Sequence, residues 1–157
     1  MDGIDSLDAR ILLALDDDPE LTILALSRQL GVARNTVHAR LRKLGRNGVL
    51  GDFSRRVEPT ALGYQMVAFV SLEISQSMQP RTTAALRELP EAVEVHATTG
   101  DADLLVKIVA RDTQDLHRIT NEVLAIDSVV RSSTVISLRE AMPLRMRALL
   151  EAAAREG

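Results

Sequence analysis

Apolar residues recur along this chain with two different periods, and the change of period divides it. Leu7, Ile11, Leu12 and Leu15 follow helical spacing until Asp16-Asp17-Asp18-Pro19 stops the helix. Thr22 is placed to cap a second short helix, with Leu26 and Leu30 on its inner face and Gly31 at its end. A third periodic stretch runs from Ala33 to about Asn47, with Gly48 as its stop signal. Two helices joined around Gly31-Val32 read as a helix-turn-helix. Val49-Leu50, the turn Gly51-Asp52, and Phe53 to Val57 predict a small hairpin. Three helices and a hairpin predict a winged helix-turn-helix over residues 1–58.

Glu58-Pro59 breaks the chain, and residues 59–65 read as a linker. Beyond it the period shortens. Met66 to Ser75 predicts a strand, Pro80 to about Leu89 a helix closed by Pro90, and Val93 to Thr98 and Leu104 to Ala110 two strands joined by a tight hairpin. Asp112 caps a helix carrying Leu116, Ile119, Val123 and Ile126 on one face. Val129 to Leu138 predicts the last strand. Pro143 starts a final helix, with Met146, Leu149, Leu150 and Ala153 inward. The order β-α-β-β-α-β plus a C-terminal helix is that of a ferredoxin-like domain over residues 66–157, so the fold class is α+β. Met66, Ala68, Val70, Leu72 and Ile74 lie on one face of the first strand, yet Val67 and Phe69 make the other face apolar as well. A monomer would leave that second face in water, which implies a homodimer.

Among its 157 residues, 46% are apolar and 26% charged, the balance of a globular protein. No apolar run approaches the ~20 residues that cross a bilayer. The N-terminus MDGIDSLDAR lacks the apolar segment of a secretory signal, so no membrane is expected and the cytoplasm is the expected compartment. The absence of cysteine excludes disulfides, thiolate metal sites and a cysteine nucleophile. Phe53, Tyr64 and Phe69 are the whole aromatic supply, too few for single-strand recognition by stacking.

The net charge of −3 hides an uneven distribution. Residues 1–27 carry −6 and residues 57–157 carry −4. Residues 28–56 hold eight bases against Asp52 alone, a net of +7. Such a block inside an acidic chain marks a polyanion-binding segment. On a wheel of the third helix, Val37, Leu41 and Leu44 form the buried stripe. Asn35, Ala39, Arg42 and Arg46 lie opposite, flanked by Thr36, His38 and Lys43. That face suits the major groove, where Asn bonds adenine, Arg bonds guanine and Ala permits close approach. Arg34 and Arg40 flank the apolar stripe, placed for phosphates or for intramolecular pairing. Arg28 on the second helix and Arg55 and Arg56 in the hairpin complete the candidate DNA contacts.

The segments LDARILLALDDDPELT, ALSRQLGVARNTVHARLRKLGRNGVLGDF and TTGDADLLVKI, spread over nearly the whole chain, resemble the Lrp/AsnC (feast/famine) regulators. The resemblance implies a transcriptional regulator whose second domain builds dimers and assemblies of dimers, such as tetramers or octamers. It also implies an effector, an amino acid or related small molecule, bound near the hairpin between the second and third strands and near the last strand. Carried over by position, the lining is Thr99, Gly100, Asp101, Asp103 and Leu104, with Ser132, Ser133 and Thr134. Carboxylates there can hold an α-ammonium, and amides and hydroxyls an α-carboxylate. Two departures stand out. Ala33 replaces a serine often found capping the recognition helix, and Ala102 and Leu104 replace aromatic residues common around the second aspartate.

Other readings compete at each point. Gly100-Asp101 suits a type II′ hairpin turn without any ligand. His38, His96 and His117 lie on different elements without metal-ligand spacing, so neither metal nor cofactor is expected. An enzyme would need a motif, and the chain has no Gly-rich phosphate loop, Gly-x-Ser-x-Gly or His-Glu-x-x-His. An architectural DNA-packing protein would use the same DNA contacts but ignore effectors. A regulator acting on double-stranded DNA in the nucleoid is the expected function.

Overall fold

The computed structural model describes residues 3–75 and 78–156. It forms two units, one made of the chain up to Arg56 together with the segment from Met142, the other of Val57–Ala141.

In the first unit, α1 (Ser6–Asp17), α2 (Ile23–Leu30) and α3 (Arg34–Arg46) follow the sequence reading closely. Asp5 caps α1 through a reciprocal box: its carboxylate accepts the Asp8 N–H at 2.9 Å, and the Asp8 carboxylate accepts the Asp5 N–H at 3.3 Å. Thr22 Oγ1 accepts the Ala25 N–H to start α2. Gly31 ends it in the left-handed region at φ 69°, which turns the chain directly into α3. As the Ala33 departure implies, no side chain caps α3. Ala14, Leu26 and Val37 form the buried centre where the three helices meet, with Leu30 and Leu41 packed against it.

Two expectations fail here. The chain after α3 forms no hairpin. Gly48 adopts φ 69°, the Val49 N–H returns to the Leu44 carbonyl at 3.0 Å, and the Arg55 N–H bonds the Asp52 carbonyl. The result is a 3₁₀ turn over Phe53–Arg56. An isolated pair of short strands is marginal in water, and residues 49–57 have no third strand to join. A local turn satisfies the same backbone groups at short range.

The C-terminal helix, expected with the sheet, belongs to this first unit as α6 (Arg147–Arg155). It packs on α1, where Arg147 bonds Asp16 at 3.1 Å and Asp17 at 2.6 Å. Three aspartates at a helix C-terminus oppose the helix dipole, and a cation there relieves them. α6 begins four residues later than Pro143 predicts. Met146 and Leu149 are exposed, while Leu150 and Ala153 are half-buried.

The second unit opens with a 3₁₀ turn at Pro59–Leu62, inside the predicted linker. It continues as β1 (Met66–Ile74), α4 (Gln79–Arg87), β2 (Ala92–Ala97), β3 (Leu104–Ala110), α5 (Thr113–Leu124) and β4 (Val129–Ser137). The sheet has order β2-β3-β1-β4 with every pair antiparallel, as the ferredoxin-like order requires. Ala68, Val70, Leu72 and Ile74 of β1 pack with Leu104, Val106 and Ile108 of β3 beneath Leu86 of α4 and Leu116, Ile119 and Val123 of α5. Both helices therefore lie on one face. On the opposite face Phe69 is exposed beside Lys107 of β3 and Val135 of β4, its register partners, and Val135 is 63% exposed. Among the described residues no helix is long and apolar enough to cross a membrane, and no cluster of acids and histidines has metal-site geometry.

Candidate DNA and ligand sites

The predicted contact face of α3 is present as a surface. Arg34, Asn35, His38, Ala39, Arg42 and Arg46 are exposed, and Thr36 and Lys43 are half-buried. Val37 and Leu44 are buried beneath them and fix the helix's rotation. Among the described residues no ion pair engages Arg28, Arg34, Arg42, Lys43, Arg46 or Arg55. Such side chains keep their charge and donors for an external anion. Arg55 and Arg56 lie on the 3₁₀ turn instead of a wing strand, and the Arg56 guanidinium stacks 5.7 Å from the Phe53 ring centre.

Arg40 is the exception, and its pairing is internal. Its guanidinium bonds Asp5 and reaches both carboxylate oxygens of Asp8 at 3.2 Å. The Asp8 N–H first, and then Arg40, hold the Asp5 carboxyl below the usual carboxylate range. Asp16 and Asp17 are engaged in the same unit by Arg147.

In the second unit the β2–β3 loop closes where the Thr98 N–H bonds the Asp103 carbonyl at 3.0 Å, so it spans four residues and not two. Gly100 takes φ 108°, which favours glycine, and Thr98 Oγ1 donates to the Ala102 carbonyl at 2.7 Å. Asp103 is a backbone stitch. Its N–H bonds the Leu72 carbonyl at 2.9 Å, and its carboxylate accepts the Ile74 N–H at 2.8 Å. Thr99, Gly100 and Asp101 are exposed, and Asp101 has no side-chain partner among the described residues.

The register tells which of the candidate lining residues meet. Leu72 pairs with Leu104 on one side and with Ser132 on the other, so these two lie in one row about 10 Å apart. Leu104 is buried in the core at 1% exposure and offers no surface. Ser132 is half-buried. Ser133, opposite Ser71, points to the other face, and Thr134 lies opposite Val70. The structure thus leaves Asp103 and Leu104 on one side of β1 and Ser132 on the other, with Thr99–Asp101 beyond the sheet end and Ser133 and Thr134 further along β4.

Comparison with known proteins agrees with this division into a DNA-binding unit and a sheet. Residues 4–50 match the family model described as winged helix-turn-helix DNA-binding, and residues 67–146 match that of the Lrp/AsnC ligand binding domain. The chain belongs to the Lrp/AsnC family. It is a DNA-binding transcriptional regulator and not an enzyme. Over 136 residues this Lrp/AsnC protein is 33% identical to the HTH-type transcriptional regulator FL11 of Pyrococcus horikoshii, covering 87% of this chain and 90% of that one. The structure of Escherichia coli AsnC superimposes with a TM-score of 0.83 at 29% identity, covering 93% and 99% of the two chains. The fold is also that of the regulator NMB0573 from Neisseria meningitidis, solved as an L-Met complex, with a TM-score of 0.77 at 23% identity over 94% and 99%.

Sequence reasoning missed the role of α6. Its apolar face shows that one side is to be covered but not by which neighbour, although Arg147 four residues before Glu151 marks it as a surface helix.

Proposed function

We propose that this Lrp/AsnC regulator reads double-stranded DNA through the outward face of α3 and adjusts its occupancy in response to an amino acid or a related small molecule. The observation that carries the DNA reading is the stripe Asn35, Ala39, Arg42 and Arg46, exposed on α3 with no ion pair on either arginine among the described residues. Arg42 and Arg46 are the base-reading candidates. Arg28, Arg34, Lys43, Arg55 and Arg56 supply phosphate contacts, and Asn35, Thr36, His38 and Ala39 line the approach.

For the effector, Asp101 is the open carboxylate for an α-ammonium. Asp103 gives one oxygen to Ile74 and keeps the other for the ligand. Ser132 and Thr134 supply hydroxyls from one face of β4 and Ser133 from the other, and Thr99 and Gly100 supply backbone amides. The L-Met complex of the Neisseria relative supports an amino acid as the ligand class. Leu104 acts beneath this site as packing.

The apolar face around Phe69 and Val135 supports a homodimer formed through the sheet, which places two recognition helices on two half-sites. Tetramers or octamers of such dimers, at work on the nucleoid in the cytoplasm, complete the proposal. A ligand shifts this system only by binding one assembly better than another.

Fluorescence anisotropy of DNA from upstream of the protein's own gene, against a scrambled duplex, with and without a mixture of the twenty amino acids, tests the proposal. Preferential binding that shifts with the mixture is expected. Equal binding to both duplexes with no response overturns the regulator mechanism in favour of DNA packing.

A further inference from the structure

The eight bases of residues 28–56 do not all face outward. Arg40 lies on α3, about 160° around the helix from Arg42 on a wheel. Its guanidinium bonds both Asp5, the cap residue of α1, and Asp8, whose side chain is 3% exposed. Asp5 and Asp8 are already locked to each other's backbone N–H groups by the capping box. One guanidinium therefore fastens the recognition helix to the first turn of α1. A buried carboxylate such as Asp8 is costly unless paired, so this contact has one strongly preferred arrangement. Arg suits the role better than Lys, because a planar fork holds direction as well as charge.

We propose that Arg40 is a positioning residue for DNA recognition: its ion pair with Asp5 and Asp8 sets how far α3 projects and in which rotation its base-reading face is presented. This rests on the reading of α3 as the helix that enters DNA. Arg40 itself touches no phosphate.

Asp8→Asn gives opposite results under the two roles. Removing an acid from beside a DNA-binding helix, and freeing a cation on it, tightens binding if electrostatics alone matters. If the pair positions α3, the same substitution weakens binding. The experiment uses the full chain and a duplex selected by the wild-type protein from a random pool, with a scrambled duplex as reference. Anisotropy titrations at several salt concentrations compare wild type, Asp8→Asn, Arg40→Gln and the double variant, with urea unfolding to confirm that each is folded.

The expected result is a loss of about tenfold in affinity for the selected duplex in both single variants, with a smaller loss on the scrambled duplex. The double variant loses no more than the worse single one, and the salt slope is unchanged. A direct phosphate contact gives another pattern: Arg40→Gln lowers the slope by about 0.9 and weakens both duplexes equally, while Asp8→Asn binds as well as wild type or better. That pattern overturns the proposal. Should Arg40→Gln not fold, because it strands the buried Asp8 charge, Asp8→Asn and Asp5→Asn still decide. Asp5→Asn keeps a good cap residue and is expected to give the same loss of selectivity in smaller measure. Wild-type protein that binds neither duplex overturns the DNA reading of α3, a different failure from tighter binding by Asp8→Asn.

Discussion

Substitutions at Asp103 and Asp101 distinguish a structural role of the β2–β3 loop from the ligand role proposed for it. In Asp103→Ala the Ile74 N–H loses its acceptor at 2.8 Å, in a residue only 9% exposed. A buried N–H left unpaired costs about 1–3 kcal/mol, with bonds to a carboxylate toward the upper end. Asp103 itself is exposed, so water reaches the vacated position and lowers the expected loss to about 1–2 kcal/mol. Asp103→Asn keeps an acceptor oxygen and surrenders only the charge, for a loss below about 1 kcal/mol. Asp101→Ala removes an exposed side chain with no described partner and is expected within about 0.5 kcal/mol of wild type. Urea unfolding at one fixed protein concentration measures all three, because the proposed dimer would make apparent stability depend on concentration. The ordering Ala, then Asn, then the Asp101 variant is the result the hydrogen bonds require. Asp103→Ala as stable as wild type, or Asn as damaging as Ala, refutes the argument from the Ile74 bond. The same variants then report on the effector: Asp101→Ala keeps its stability and DNA affinity but loses the response to amino acids.

Arg42→Ala and Arg46→Ala each weaken binding to the preferred duplex by about 1–3 kcal/mol if bidentate to guanine, leaving the urea midpoint of the free protein unchanged. Ala33→Ser supplies the missing acceptor at the start of α3, whose backbone there is already extended at φ −64° and ψ 145°, and raises stability by about 1 kcal/mol in urea titration. Arg147→Ala lowers the stability of the first unit at low salt, and the difference closes as salt is raised. The Asp5 carboxyl, depressed by the Asp8 N–H and by Arg40, contributes stability above its unfolded value, and this is lost as pH falls through its folded value. Asp5→Asn is therefore less sensitive than wild type to acid below about pH 4.

Much of this architecture was legible because burial has a period. Leu26 and Val37 at helical spacing, and Ala68, Val70 and Leu72 in alternation, name their own elements and inner faces. The segment 49–57 has no such constraint. Its pattern fits a hairpin, but every residue from Gly51 to Val57 is exposed, so no core selects strands over the turn that Asp52 nucleates. The address of α6 was hidden for another reason. An amphipathic helix declares which of its sides is apolar and not which surface will cover it, and the aspartates that draw Arg147 lie far away in sequence. Among the residues proposed for the effector, Leu104 is buried in the core, and a position carried over by resemblance says nothing of which sheet face it occupies. The pairing with Leu72 does.

The acidic first segment is the harder electrostatic problem for a DNA-binding unit, since it adjoins the basic block in sequence and folds into the same unit. The structure answers it with pairing. Asp5 and Asp8 are bound by Arg40, and Asp16 and Asp17 by Arg147. Two arginines thereby occupy four carboxylates, one pair at each end of α1. These are also the two ends at which α1 holds its neighbours, α3 at the N-terminus and α6 at the C-terminus. The ion pairs near the polar surface contribute little net stability apiece, and their effect lies in direction: each ties a charge to one partner and one geometry. Among the described residues the remaining arginines of α2, α3 and the 3₁₀ turn form no ion pair and stay available to a polyanion. A net charge of −3 is thus compatible with DNA binding, because four acids of the first segment are paired while, among the described residues, no ion pair engages the bases on α3's outward face.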